Sequence, residues 1–344
     1  MLYKTFVRPI LFMLSPEAAH NFTIKMFSIL KLTFPILKLF VQRKTSWEQV
    51  KVFNLAFRNR LGIAAGLDKD GEAIWVFDAF GYSHIEVGTV TPLPQKGNEK
   101  PRLFRLKKDN ALLNRMGFNN KGAEYVKKNI LKARQYVSRD FIIGVNIGKN
   151  KNTPIENAAD DYIKCLEVLY EVADYFTINI SSPNTEHLRE LQNIAYLDNF
   201  LKVITRKNQE LSELYSCNKK PIFLKIAPDL TDEEVERIYL FCFKYDITGL
   251  VATNTTVSRE GLSTQVSEAG GLSGKPLESL SNKVLSKLNT LNISNAFGKL
   301  VLIGVGGVFD KEGYKAKLLN GADLVQVYTG LIYEGICLIQ KILR

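Results

Sequence analysis

The sequence predicts a (β/α)8 barrel, the TIM-barrel class of α/β fold, with a small helical extension at its amino terminus. Eight short apolar runs recur along the chain, and each leads into a loop and a helix-like stretch. The runs are mostly apolar throughout rather than alternating, as expected of parallel strands buried on both faces. No G-x-G-x-x-G motif follows the first run, which disfavours an open doubly wound sheet. The predicted strands are residues 61–65, 84–88, 141–147, 174–180, 221–226, 247–252, 300–304 and 323–327.

Composition is that of an ordinary globular protein, with 46% hydrophobic and 24% charged residues among 344. It excludes disordered, collagen-like and disulfide-stapled chains. Because the four cysteines show no C-x-x-C spacing, we interpret them as free thiols of a reducing compartment, and the three dispersed histidines do not suggest a metal site. No apolar run approaches the roughly 18 residues that a membrane-spanning helix needs. The net charge of +11 makes a negatively charged partner plausible.

Residues 1–45 form a predicted amphipathic helical region with seven basic side chains and one acid, Glu17. Ser15 is expected to cap a second helix that begins at Pro16. Short apolar helices with basic flanks suit the surface of an anionic membrane, and a helical hairpin packed on its own domain fits the pattern equally well. The first helix has the apolar stripe Tyr3, Phe6, Val7, Ile10, Leu11 and Leu14, and Ile36, Leu37, Leu39 and Phe40 form a further apolar cluster.

Residues 46–344 form the predicted catalytic barrel. Residues 50–57 are expected to form a hairpin that caps its lower end. Residues 91–105 are long and rich in proline, glycine and basic side chains, so we expect an excursion over the top of the barrel. Helical periodicity covers residues 157–172 and 231–243, and Thr231 and Glu234 have the spacing of a capping box.

Small and polar side chains gather where the predicted strands end, which is where barrel enzymes hold their active sites. Lys69 follows the first strand, Asn179 ends the fourth and Lys225 lies near the end of the fifth. Glycine-rich turns after the seventh and eighth strands are typical of a phosphate site, although many turns need glycine for other reasons. Amides, hydroxyls and lysines favour an anionic ligand rich in hydrogen bonds over a metal ion.

Five strings in these loops resemble the dihydroorotate dehydrogenase family. They are AAGLDKDG at 64–71, NRMGFNN at 114–120, NISSPNT at 179–185, GGLSGKP at 270–276 and IGVGG at 303–307. The match runs in order through essentially the whole chain. The helical pair, with Arg8-Pro9 and PEAAH at 16–20, resembles the class 2 branch, which is quinone-linked and membrane-associated. Ser182 agrees with this branch, because the soluble class 1 branch has cysteine as its base.

The resemblance implies oxidation of (S)-dihydroorotate to orotate in de novo pyrimidine synthesis, with FMN as cofactor and a quinone as acceptor. Ser182 is the implied base; a serine needs activation by a neighbour or a water relay, and the sequence does not show which. Implied FMN contacts are Ala65, Gly66, Lys69, Thr89, Asn146, Asn179, Lys225, Thr253, Gly274, Gly307, Tyr328 and Thr329. Implied substrate contacts are Lys69, Asn114, Arg115, Met116, Gly117, Phe118, Asn179, Asn184, Asn254 and Thr255.

The resemblance also implies a peripheral membrane protein on the cytoplasmic face of the bacterial inner membrane. Residues 1–45 would then form an apolar quinone tunnel, with His20, Arg105 and Tyr328 near the quinone head. His20 could equally be a packed surface histidine, and Arg105 a solvated loop charge. The alternatives are a class 1 enzyme that uses fumarate or NAD, a nucleic-acid-binding protein suggested only by the basic charge, and a membrane-surface scaffold without catalysis.

Overall fold

A computed structural model describes residues 2–33, 36, 38, 48–296 and 298–343, and its centre is a closed barrel of eight parallel strands. Each predicted strand is present, with bounds that differ from the prediction by at most two residues. Around the barrel, neighbouring strands follow chain order and the last strand pairs with the first. In chain order the barrel strands are β3 (Leu61–Ile63), β4 (His84–Val90), β7 (Ile142–Ile147), β8 (Tyr175–Asn179), β9 (Ile222–Ile226), β10 (Gly249–Ala252), β12 (Val301–Val305) and β13 (Leu324–Val327).

Helices surround the barrel and bury its outer face in one continuous apolar core. The strands form as buried apolar runs because they face this helical layer on one side and the barrel interior on the other. The predicted capping box is present, since Glu234 N donates to Thr231 Oγ1 at 3.2 Å and Thr231 N donates to Glu234 Oε2 at 2.8 Å. The helices are α3 (Ile74–Phe80), α4 (Ala123–Ala133), α5 (Ala158–Leu169), α6 (Ile194–Leu214), α7 (Asp232–Lys244), α8 (Glu278–Ser294), α9 (Lys311–Leu319), α10 (Thr329–Glu334) and α11 (Leu338–Leu343).

The lower end of the barrel is closed by the predicted hairpin, whose strands are β1 (Val50–Val52) and β2 (Leu55–Phe57). Phe53, at the turn, packs edge-to-face on Tyr175 and Phe223 at the amino ends of their strands. Glycine makes room for large rings at this end: a Cβ on Gly144 would lie 2.1 Å from the ring of Tyr175. The lower interior is therefore solid, and the polar side chains lie at the upper end.

The amino-terminal helices pack on the barrel and leave one side exposed. A π-helical turn (Tyr3–Val7) leads into α1 (Arg8–Met13), followed by α2 (Pro16–Ile29) and a 3-10 turn (Leu30–Thr33). Ser15 caps α2 as expected, because its side chain accepts from Ala18 N at 3.4 Å. Tyr3 OH donates to Ile332 O at 2.6 Å and thus joins this region to α10. The predicted domain boundary at 45/46 and the cluster members Leu37, Leu39 and Phe40 lie outside the described residues.

The segment predicted as an excursion, residues 91–105, leads from β4 into a small sheet that lies outside the barrel. Its first strand, β5 (Leu103–Leu106), pairs with β6 (Ala111–Asn114), which in turn pairs with β11 (Gly271–Gly274). The strands β5 and β6 form a local hairpin, whereas β11 reaches β6 from more than 150 residues away, so no local pattern predicts the third strand.

Candidate active site

Nearly all of the predicted site residues line one pocket at the carboxyl ends of the barrel strands. The pocket encloses about 980 Å³, including the space that opens to solvent. The predicted residues in its lining are Ala65, Gly66, Lys69, Thr89, Asn114, Met116, Gly117, Phe118, Asn179, Ser182, Asn184, Lys225, Thr253, Asn254, Thr255, Gly274, Gly307, Tyr328 and Thr329. The closed barrel explains this gathering, since residues far apart in sequence end their strands on the same rim.

Two predicted contacts lie outside the lining. Asn146 is fully buried just below the pocket, where its amide is hydrogen-bonded to Asn179, which lines the pocket. Arg115 turns away from the pocket, pairs with Glu268 and donates to Pro101 O at 2.9 Å. Its own neighbours in the NRMGFNN string remain in the lining. Direct contacts of Asn146 and Arg115 with a ligand remain predictions.

A ladder of side-chain hydrogen bonds runs across the floor of the pocket. Asn146 Oδ1 accepts from Thr89 Oγ1 at 2.6 Å and from Asn179 Nδ2 at 3.2 Å. Asn179 Oδ1 in turn accepts from Asn254 Nδ2 at 3.3 Å. Each amide is thereby held in one orientation, which fixes where the pocket presents donors and where it presents acceptors.

Glu86 anchors this ladder, and the sequence analysis missed it. Its side chain is fully buried in the barrel interior, and Oε1 accepts from Asn146 Nδ2 at 2.7 Å. Oε2 accepts from Thr177 Oγ1 and from Gln326 Nε2, both at 3.0 Å. An acid inside an otherwise apolar predicted strand was the signal that could have identified it, because isolated charges are rarely buried.

Lys225 enters the pocket from below. The residue is 5% exposed, and no hydrogen-bond partner of its Nζ is found in the part of the chain that the structure describes. Burial lowers the pKa of Lys225, and the negative charge of Glu86 opposes that shift. The buried Oε1 of Gln326 also has no partner within the described residues. A buried lysine without a protein partner at the pocket wall suits a polar ligand that supplies an acceptor.

The glycine-rich turns after β12 and β13 form a narrow cradle at one end of the pocket. Gly307 has φ +78°, and a Cβ there would lie 2.3 Å from the Cβ of Glu278. A Cβ on Gly330 would lie 2.0 Å from Val308 O. Below the turn, Ser281 Oγ donates to Val305 O at 2.6 Å and accepts from Lys317 Nζ at 2.7 Å. A glycine turn of this kind presents no side chains, which is typical of an anion site built from backbone N–H groups.

The opposite end of the pocket collects amides around Lys69. Lys69 Nζ donates to Asn119 Oδ1, and Asn184 Nδ2 donates to Asn114 Oδ1 at 3.1 Å. Burial lowers the pKa of Lys69 to about 7, and the charge of Arg102 acts in the same direction. A bound carboxylate would favour the protonated lysine, so this end suits an anionic ligand.

Ser182 lines the pocket between these two ends and is 6% exposed. Its Oγ accepts from Asn184 N at 3.3 Å. In the described ranges no carboxylate or imidazole is hydrogen-bonded to this hydroxyl. The side chain is thus shielded from bulk water and open to a ligand in the pocket, and the structure shows no protein group that activates it.

A second, apolar cavity of about 1,230 Å³ lies between the amino-terminal helices and the barrel. His20, Arg105 and Tyr328 all line it, and Tyr328 also lines the strand-end pocket. Burial lowers the pKa of His20 to about 4, and Lys69 contributes in the same direction, so this imidazole is neutral at physiological pH. Arg105 lies over the ring of Phe12 at 4.4 Å and donates to Leu14 O at 3.0 Å. Tyr328 is the residue that the linings of the apolar cavity and of the polar pocket share.

The outer side of the amino-terminal helices is apolar and exposed. Large side chains there are more than half exposed: Leu2, Phe6, Ile10, Met13, Phe22 and Ile29. Within the described residues, no helix combines the length and apolarity that crossing a bilayer requires. An apolar surface of this kind is typical of an interaction with a membrane or a partner.

Comparison with known proteins agrees with this arrangement. The family model described as Dihydroorotate dehydrogenase matches residues 48–344. A curated relative from Vibrio parahaemolyticus, named Dihydroorotate dehydrogenase (quinone), is 47% identical over 100% of this chain and 99% of its own length. A relative of the same name from Idiomarina loihiensis is 48% identical over 98% of both chains. A crystal structure of DHODH from Eimeria tenella in complex with ferulenol is similar at a TM-score of 0.83 and 34% identity, over 95% of this chain and 89% of that one.

Proposed function

The chain belongs to the dihydroorotate dehydrogenase family, in its quinone-linked class, and from this premise we propose that it oxidises (S)-dihydroorotate to orotate with FMN as cofactor and Ser182 as base. This reaction is the redox step of de novo pyrimidine synthesis. The observation that carries the proposal is the single strand-end pocket, which combines a glycine cradle, a buried lysine and an amide-lined end.

The residues of the pocket fit FMN. The cradle of Gly306 and Gly307 offers backbone N–H groups without side chains in the way, as a phosphate requires. Within the described residues Lys225 Nζ has no hydrogen-bond partner, so it can donate to the ring system. Bound FMN supplies the two-electron acceptor for the hydride that leaves C6 of dihydroorotate.

Dihydroorotate fits at the opposite end of the pocket. Lys69 opposes its carboxylate, and Asn114, Asn184 and Asn254 supply donors and acceptors for its imide edge. Hydrogen bonds within the ladder hold these amides in place before the substrate arrives. Fixed amides reduce the entropy cost of aligning C6 with the cofactor, and this alignment is the main contribution of such a site to catalysis.

Ser182 takes the proton from C5. Its hydroxyl is nearly buried, and the neighbouring backbone of Asn184 donates to its oxygen. That bond leaves the hydroxyl hydrogen free to turn towards water or another acceptor as the C5 proton arrives. Burial also keeps bulk solvent away from C5 and C6 during the reaction.

The apolar cavity is the proposed quinone site. Its lining is apolar apart from a few groups, including His20, Arg105 and Tyr328. The cavity and the FMN pocket share Tyr328, so a quinone head there would lie beside the flavin. The exposed apolar side of the helices then rests on the membrane, and we place the enzyme as a peripheral protein on the cytoplasmic face of a bacterial inner membrane.

Anaerobic reduction tests the cofactor and the reaction. The purified protein should release FMN on denaturation, and the native protein should lose its visible flavin absorbance when dihydroorotate is added, with one orotate formed per flavin. A protein without flavin, or a flavin that dihydroorotate does not reduce, would contradict the proposal.

Two adjacent alanines test the quinone site. Ala19 is buried and lines the apolar cavity, whereas Ala18 is exposed on the other side of the same helix turn. Ala19→Phe should raise the KM for a short-chain quinone at least tenfold and leave flavin reduction by dihydroorotate unchanged. Ala18→Phe is the matched control and should change neither. Equal quinone kinetics in the two variants would place the quinone elsewhere.

A matched pair of substitutions tests the membrane surface. Burial of a side chain such as Phe6 or Ile10 in lipid is worth about 1.5–3 kcal/mol. Phe6→Ser with Ile10→Ser should therefore weaken binding to vesicles of anionic phospholipid by more than tenfold. Leu319→Ser removes an even more exposed side chain from a barrel helix and should have no effect. Equal losses would show that the amino-terminal helices are not the membrane surface.

A further inference from the structure

The eight barrel strands contain one acidic residue and one lysine, and both side chains enter the barrel. Glu86 lies on β4 and Lys225 on β9. The other buried carboxylates among the described residues belong to loops and helices outside the barrel: Asp68, Asp78 and Asp161. The two charges therefore share a low-dielectric interior in which an unpaired charge is very unfavourable.

Every contact of the Glu86 carboxylate is with a donor group. Besides Asn146, Thr177 and Gln326, the hydroxyl of Tyr175 lies 3.5 Å from Oε2. Two amides and two hydroxyls can all donate to the ionised form, which accepts at all its lone pairs. The surroundings therefore suit an ionised carboxylate.

Lys225 lies in the tier above Glu86. Strand register pairs Lys225 with Asn179, and Asn146 links the tier of Lys225 to that of Glu86. Glu86 is the one charged group that acts on the pKa of Lys225 within the described residues, and it favours the protonated form against the effect of burial. Without that carboxylate, burial alone would determine the charge of Lys225, and burial favours the neutral amine.

We propose that Glu86 is a positioning residue that serves as the counter-charge of Lys225 and keeps this lysine as an ammonium ion under the bound FMN. The inference rests on the proposed FMN site. A reduced flavin carries more negative charge than an oxidised one, so an ammonium ion beneath it stabilises the reduced form. Glu86 thereby raises the tendency of the bound flavin to accept the hydride, although Glu86 itself does not contact the flavin.

Glu86→Gln isolates the charge from the hydrogen bonds. The new Oε1 can still accept from Asn146. The Gln326 amide faces position 86 through its Nε2, and when that amide turns over, its Oε1, which has no partner among the described residues, can accept from the new Nε2. The packing and the ladder are therefore kept, and the negative charge is lost.

The midpoint potential of the bound flavin reports the result, measured by spectroelectrochemistry at pH 7. We expect the preference of the site for reduced over oxidised flavin to fall at least tenfold in Glu86→Gln, which corresponds to a potential about 30 mV lower. The sign is decisive. If Lys225 kept its proton without Glu86, loss of a negative charge would raise the potential, and a raised or unchanged potential overturns the proposal.

A variant that exchanges the hydrogen-bonded side chains of Glu86 and Gln326 is the matched control. Glu86→Gln combined with Gln326→Glu returns one carboxylate to the same tier and should restore the potential to near the native value. A structural defect at position 86 would not be rescued in this way. Lys225→Met gives the potential of a site without the ammonium ion. A swap variant that matches Lys225→Met rather than the native protein overturns the proposal, even where Glu86→Gln alone does not fold.

Thr177→Val removes one donor to the same carboxylate and keeps its charge, so its potential should stay unchanged. A shift as large as that of Glu86→Gln would assign the effect to hydrogen bonding and overturn the role of the charge. Failure of the proposed function gives a different result, because a protein that binds no flavin shows no flavin absorbance in its first visible spectrum. If the Glu86→Gln variant retains FMN and the midpoint potential of its flavin does not shift, only the role of Glu86 as counter-charge is contradicted.

Discussion

The ion pair between Glu17 and Arg102 should hold the amino-terminal helices on the barrel. Arg102 Nη2 donates to Glu17 Oε1 at 2.7 Å, and Arg102 Nε lies 3.2 Å from both carboxylate oxygens. The side chains are 6% and 13% exposed. Burial alone would raise the pKa of Glu17, but the hydrogen bonds and charge of Arg102 outweigh it and lower that pKa. The pair therefore contributes stability above the unfolded pKa of the glutamate and loses it as pH falls through the lowered folded value.

The size of the effect follows from the partial burial. Breaking a fully buried pair costs about 3–5 kcal/mol, whereas an exposed pair contributes about 0.2–1 kcal/mol. Arg102 keeps its bonds to Lys96 O at 2.6 Å and Asn98 O at 2.8 Å, so it is not left without partners. We expect Glu17→Gln to cost about 2 kcal/mol of docking, which is about a 30-fold increase in local opening.

Hydrogen exchange at pH 7 measures this opening. Amides of residues 16–29 should exchange about 30-fold faster in Glu17→Gln, while barrel amides stay protected. Because this helix lines the apolar cavity, the KM for quinone should rise and flavin reduction should not change. Glu171→Gln breaks the exposed pair with Lys127 and serves as the control. Unchanged exchange in residues 16–29, or an equal effect of Glu171→Gln, would refute the reasoning.

Three further changes test the site. Ser182→Ala should slow anaerobic flavin reduction about 10²–10⁴-fold in stopped-flow measurements, with FMN content unchanged, and a loss below tenfold would remove Ser182 as the base. Gly307→Ala should lose FMN because its Cβ meets Glu278, whereas Gly261→Ala, with a similar φ of +76° and open space around it, should retain FMN. Burial lowers the pKa of His20, so folding stability should decline as pH falls from about 6.5 towards 4, where the unfolded imidazole binds a proton and the folded one does not. An NMR titration of His20 with a midpoint near 6.5 would contradict this.

The barrel could be predicted from sequence because each strand carries its own signal. A strand buried on both faces is an apolar run whatever its partners are, so β7, β8 and β9 are evident without knowledge of the sheet. The pocket followed from the same fact, since strand ends in a closed barrel must meet at one rim. Ser182, Asn179 and Lys225 therefore come together although the chain separates them widely.

The features that were missed depend on long-range partners. β11 joins the local β5–β6 hairpin only because segments more than 150 residues apart meet there. Arg102 and Glu17 are 85 residues apart and give no local pattern. Glu86 looks like a single charge in a strand, and only its four donors from three other barrel strands show why the barrel tolerates it.

The most direct test of the account is orotate formation with a short-chain quinone, fumarate or NAD as the sole electron acceptor. We predict rapid turnover with quinone alone, because the apolar cavity opens beside the strand-end pocket at Tyr328. Turnover with fumarate or NAD and none with quinone would retain the flavin site and contradict the role assigned to residues 1–45. Absence of orotate with every acceptor, despite bound FMN, would contradict the assignment of dihydroorotate as substrate.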